Sequence, residues 1–247
     1  LIDAIARLSS VPDCKDPLHK LFQALIAACD PNSKVLSGDN CLHLALTQQL
    51  EDSFLTFLAK HTDVNAVNSA GVTPLMFATH LKRVDSVKAL LAAGANVNIA
   101  TERGVTPLHS AVFSRSLDLV QILLKAGANV NQGDSKQRTP LHYGIHASAE
   151  TDGDMEIETL LVSKGADVNA LDAKQRSPLF YAFLPLYKAQ DQLCSKLDPI
   201  ETVSSVCMFA GVKLNLVDKR QRTLLHYAAQ RGATISSLYL LDRGVPI

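Results

Sequence analysis

The chain repeats itself every 33 residues, and few folds accept that period. Thr73-Pro74-Leu75, Thr106-Pro107-Leu108 and Thr139-Pro140-Leu141 recur at this spacing, as do His61, Gly94 and Gly127 at the far end of the unit. Later copies follow in Ser177-Pro178-Leu179 and Thr223-Leu224-Leu225, paired with Gly165, Gly211 and Gly244, and the pattern reaches back to Asn40-Cys41-Leu42-His43. A unit this short cannot cover its own apolar face, so successive copies must stack, each touching mainly its neighbours. Such an array works by surface contact and needs no compact pocket.

Thr106 suits a helix N-cap, and Pro107 suits the first helical position, where its missing N–H is not needed. Leu117, Val120, Leu123 and Leu124 then fall on a 3.6-residue period, and Gly127 supplies the backbone freedom that ends a helix. Each unit therefore reads as two antiparallel helices, joined to the next by a short polar segment such as 132–138.

Thr106-Pro107-Leu108-His109-Ser110-Ala111, followed by Gly127-Ala128-Asn129-Val130-Asn131, resembles the ankyrin repeat. The resemblance covers roughly residues 34 to 247 and implies an all-α ankyrin-repeat solenoid of stacked helix-turn-helix units with projecting hairpin fingers. The units fall at about 34–66, 67–99, 100–132, 133–170, 171–216 and 217–247, behind a degenerate N-terminal cap at 1–33. In that cap, Asp16-Pro17 can start a helix whose Leu18, Leu21, Phe22, Leu25 and Ile26 share a face.

Two units are stretched. Thr139 to Gly165 is 26 residues against a regular 21, and Ser177 to Gly211 is 34, which places insertions near 147–154 and 185–198. Asp198-Pro199-Ile200-Glu201 reads as a helix restart with Asp198 as N-cap. Long loops are often functional, but surface insertions also cost little, and both readings stand.

Composition agrees with packed helices: 47% of residues are hydrophobic but only 5% aromatic, so Leu, Val and Ala must fill the core. A net charge of zero gives no bulk attraction to nucleic acid or membrane, and no apolar stretch approaches the ~18 residues of a membrane span. Cys14, Cys29, Cys41, Cys194 and Cys207 are odd in number and lack C-x-x-C spacing, which reads as reduced thiols of an intracellular protein, cytoplasmic or nuclear. The first residue is Leu and the last unit stops at Gly244-Val245-Pro246-Ile247, so a fragment of a longer chain is expected.

No catalytic constellation, cofactor motif or metal site emerges. His43, His109, His142 and His226 occupy one slot in different units, about 8–10 Å apart, whereas zinc ligands converge within ~2 Å of one ion. A histidine bonded to its own turn is the better reading. Asp152, Asp154, Glu156 and Glu158 miss the register of a calcium loop and read as a solvated acidic loop.

What remains is surface. In the ankyrin family partners are held by finger tips and inner helices, and the resemblance transfers those positions here. The early tips, Ser69, Ala70 and Val72, are uncharged, and the next carries Glu102 and Arg103. The later tips are basic: Lys136 and Arg138, then Lys174 and Arg176, then Lys219, Arg220 and Arg222. The usual finger glycine is Gln137, Gln175 and Gln221 there. A ladder of seven cations costs self-repulsion unless something anionic offsets it, although solvated tips also keep a protein soluble. Behind the tips, Tyr143, Tyr181 and Tyr227 should line the concave side, with Phe113, His146, Leu184 and Arg231 nearer its far rim. The tyrosines read equally as interface anchors or as packing.

The expected function is a protein–protein interaction scaffold that binds a partner protein through its concave face and basic finger tips, holding an acidic or phosphorylated segment. The alternative is a targeting or regulatory segment of a larger enzyme, such as an ADP-ribosyltransferase, kinase or ubiquitin ligase. Nucleic acid is disfavoured, because the basic residues lack interleaved stacking platforms. The family resemblance also implies asparaginyl hydroxylation at Asn98, Asn131 and Asn169, which have Leu90, Leu123 and Leu161 eight residues upstream. The apolar run Ile235 to Leu241 in the last unit further suggests a repeat beyond Ile247.

Overall fold

A computed structural model describes residues 38–47, 52–150, 154–184 and 198–246. The expected cap at 1–33, Asp152, Cys14, Cys29, Cys194 and most of the second insertion lie outside these residues. Among the described residues the secondary structure is helical, with no strand. The chain divides into two compact units, one taking in Leu1–Ser110 with Gln121–Ala128, the other Ala111–Val120 with Asn129–Ile247.

The first unit holds α1 (Cys41–Thr47), α2 (Asp52–His61), α3 (Pro74–His80) and α4 (Val84–Ala92). It also takes parts of α5 (Pro107–Phe113) and α6 (Leu117–Lys125), which are shared with the second. Thr73 caps α3 by accepting the Met76 N–H, and Pro74 occupies its first turn. Leu42, Leu46, Leu55, Leu58, Leu75, Leu90 and Leu108 are fully buried and, with Ala45, Met76 and Val87, build the core. Polar groups tie neighbouring helix pairs together: Asp52 at the start of α2 accepts from Arg83 and from the Ser86 hydroxyl.

The second unit holds α7 (Pro140–Ser148), α8 (Glu156–Ser163), a 3₁₀ turn (Pro178–Phe183), α9 (Ile200–Cys207), α10 (Leu224–Arg231) and α11 (Thr234–Asp242). The 3₁₀ turn stands where the repeat predicts an α-helix. Leu184 leaves it with φ −85° and ψ 138°, the extended conformation that Pro185 imposes on the residue before it. Phe180 packs edge to face on Tyr227 at 5.2 Å and fills the interior next to α10.

Two acidic residues do not behave as the sequence suggests. Glu158 is fully buried rather than solvated, 2.5 Å from the Arg115 guanidinium and 2.9 Å from the Ser148 hydroxyl. Burial pushes its carboxyl up, against the pull of the Arg115 charge. Arg115 also donates to the Asp154 carbonyl, so one side chain pins both ends of the first insertion. Asp198 does not cap its own helix, because Pro199 takes the N-cap position of α9 and leaves Asp198 one residue too early. It caps α11 instead, accepting the N–H groups of Ile235 at 2.6 Å and Ser236 at 3.1 Å.

Gly144 on α7 makes room for the buried carboxylate: a Cβ there would meet Glu158 Oε1 at 2.7 Å. Gly144→Ala should therefore lower unfolding stability by about 1–3 kcal/mol despite the better helix propensity of Ala. Urea denaturation checks this, and a stabilised variant would contradict the packing.

Candidate binding edge on the basic fingers

The three basic fingers are copies of one turn. In each, an Asp N–H donates to the carbonyl of the Arg four residues on, at 3.0 Å, closing the loop Asp134 to Arg138, Asp172 to Arg176 and Asp218 to Arg222. The same Asp turns its Oδ1 to two backbone N–H groups in the turn, those of Lys136 and Arg138, of Lys174 and Arg176, and of Arg220 and Arg222. Its Oδ2 receives the Arg guanidinium and the hydroxyl of Tyr143, Tyr181 or Tyr227, the latter at 2.9, 2.8 and 2.7 Å. The guanidinium also lies over the tyrosine ring, 4.8, 4.9 and 4.5 Å from its centroid.

Each carboxylate is thus satisfied on both oxygens while its side chain is no more than 3% exposed. Burial alone would raise these carboxyls, but the Arg side chain, the backbone N–H groups and the Tyr hydroxyl together hold all three below the usual range. Burial likewise pushes the tyrosine hydroxyls up.

The offset that a ladder of seven cations requires therefore lies inside the fingers. Arg138, Arg176 and Arg222 are committed to the buried aspartates. Lys136, Lys174, Lys219 and Arg220 remain exposed and make no ion pair among the described residues. The fingers are also joined to each other, since Ala173 N–H donates to the Lys136 carbonyl and Lys219 N–H to the Lys174 carbonyl, both at 2.8 Å.

Fold and fingers together fit one family. A family profile described as ankyrin repeats (3 copies) matches residues 14–101 and 97–172, more than half of the chain. The chain belongs to the ankyrin repeat family. No curated protein matches it. Ankyrin repeats generally mediate protein–protein interaction.

The remaining expected site residues of this ankyrin domain divide by exposure. Arg103 is exposed on the finger closed by Thr101 N–H to the Val105 carbonyl. Phe113 is 53% exposed and packs edge to face on Tyr143 at 6.3 Å, whereas Tyr181 and Tyr227 are buried against their own fingers. His146 bonds the Tyr181 carbonyl at 3.1 Å, and Leu184 is half-buried. Arg231 is taken inward at 7% exposure, bonded to the Ala182 carbonyl and paired with Glu150.

The histidines of the repeated slot are structural. Each accepts an N–H on its Nδ1 from the first residue of its turn: Asn40, Thr106, Thr139 or Thr223. At His142 this leaves the proton on Nε2, which donates to the Arg176 carbonyl of the next finger at 3.1 Å. Asn98, Asn131 and Asn169 are structural as well. Their amides donate to the carbonyls of Gly127, Gly165 and Gly211, and Asn131 and Asn169 also accept the N–H groups of Asp167 and Lys213.

Three outcomes follow from these contacts. Asp172→Ala should cost about 3 kcal/mol of unfolding stability because it strands a guanidinium and two backbone donors, whereas Lys174→Glu should cost under about 0.5 kcal/mol. Gln137, Gln175 and Gln221 all sit at φ 59°, in the left-handed region. Gln175→Gly should accordingly gain roughly 0.5–1 kcal/mol, read as a higher melting temperature. Burial lowers the His142 imidazole to about 4, opposed by its bond to the Arg176 carbonyl. An unfolded histidine takes up its proton near 6.5. The stability that a neutral His142 provides is then present above pH ~6.5 and lost as pH falls towards about 4. The aspartates hold their contribution down to pH ~4 and lose it below. Urea midpoints measured at pH 7.5 and 4.5 should show a smaller drop for His142→Gln than for the parent chain.

Proposed function

We propose that the chain is an interaction module whose basic finger edge holds an acidic or phosphorylated segment of a partner protein. Four exposed cations on fingers whose other three are already neutralised support this reading. Phe113 offers the exposed apolar anchor beside that edge. The buried pairs keep the fingers rigid, so little ordering cost falls on the module when it binds. Charge complementarity of this exposed kind contributes more to association rate and selectivity than to raw affinity.

Reversing Lys136, Lys174 and Arg220 together to Glu should weaken capture of an acidic partner by about tenfold or more and flatten its salt dependence. The melting temperature should stay unchanged, because none of these side chains joins a finger's internal pair. Unaltered binding by the folded variant would refute the proposal.

A further inference from the structure

The finger edge has a period as well as a charge. Lys136, Lys174 and Arg220 each stand two residues after the finger aspartate, although they are 38 and 46 residues apart in the chain. The same carbonyl-to-amide bond links one finger to the next in both steps, and every finger has the same turn closed on the same buried carboxylate. The extra residues of the stretched repeats therefore do not disturb the edge. Each basic finger presents an exposed cation at this equivalent apex position, with Lys219 beside Arg220 on the last, at the ~8–10 Å spacing of packed helices.

A ligand chain must match that spacing on one of its faces. A β-strand returns to the same face every two residues, about 6.6 Å, and overshoots at four. An α-helix returns to one face every three or four residues, about 5.4 Å, overshoots at seven, about 10.5 Å, and needs some fifteen residues to span three fingers. Polyproline II geometry has three residues per turn at 3.1 Å each, so it returns every ~9.3 Å. Acidic segments already populate this extended form, because their charges repel and extended chains favour it.

We infer that the edge reads an extended acidic segment with a carboxylate at every third residue, one per finger. This rests on the acidic-partner reading above and adds its register. Two labelled nonapeptides of identical composition test it: Glu-Pro-Ser repeated three times, and Glu-Glu-Glu followed by Pro-Ser repeated three times. Net charge is the same, so general attraction is the same. Each exposed pair contributes roughly twofold to fivefold. The spaced peptide should therefore bind about fivefold more tightly than the clustered one, measured by fluorescence anisotropy at low salt. Lys174→Glu, with an unchanged melting temperature, should abolish that preference. Equal affinities would overturn the register while leaving the acidic-partner reading intact. Failure of both peptides to bind would overturn the two together.

Discussion

Asp134, Asp172 and Asp218 carry unit negative charges with almost no exposed surface, and the shape of the basic fingers follows from them. An unpaired carboxylate in that position would be costly to bury. Each is made tolerable by four groups of three kinds: two backbone N–H groups of its own turn, a guanidinium and a phenol, with the turn's closing bond supplied by the same residue's backbone. Removing a donor leaves the buried carboxylate partly unsatisfied at the cost of its desolvation, so the members of each finger depend on one another. Three consequences come from this one arrangement. The arginines are held in place, the tyrosines are drawn inward, and only the residues at the turn's apex are left for a partner.

The same economy runs along the stack. His142 spends one ring nitrogen on its own helix start and the other on the next finger's carbonyl. Asn131 and Asn169 bracket the end of the following helix pair with both ends of their amides. Asp52 and Asp198 each reach the second helix of the next pair instead of serving their own. Leucine packing holds the helices together but is indifferent to small slips. Directional polar contacts at each junction remove that freedom and set the alignment on which a regular edge depends.

Irregularity is absorbed at places the edge does not feel. Arg115, Glu158 and Ser148 fasten the first insertion through a buried pair, with Gly144 providing the space. Arg231 reaches past the short 3₁₀ turn to Glu150, which ties α10 to the residue that begins the first insertion's turn. The backbone bond between fingers has the same length, 2.8 Å, across the first insertion (Ala173 to Lys136) as across the longer one (Lys219 to Lys174).

The repeat and most of its helices were legible in the sequence, though not the Asp198 cap or the 3₁₀ turn at Pro178–Phe183, because Thr-Pro-Leu, terminal Gly and leucine periodicity are local signals that act within one turn of chain. The Asp-to-Arg spacing of four and the Tyr five beyond were equally visible, and could have marked the finger pairs. What sequence could not settle was which charges are free. Seven cations look alike in a one-dimensional pattern, and a buried carboxylate such as Glu158 looks like any acidic loop residue. For Arg115 and Arg231 the deciding groups are brought near by stacking, from 33 to 81 residues away in the chain. Tertiary structure alone decided that Arg115 and Arg231 fasten distant segments, whereas Arg138, Arg176 and Arg222 meet their aspartates within one finger and leave Lys136, Lys174, Lys219 and Arg220 facing outward; desolvation and pairing are properties of a place and not of a residue type.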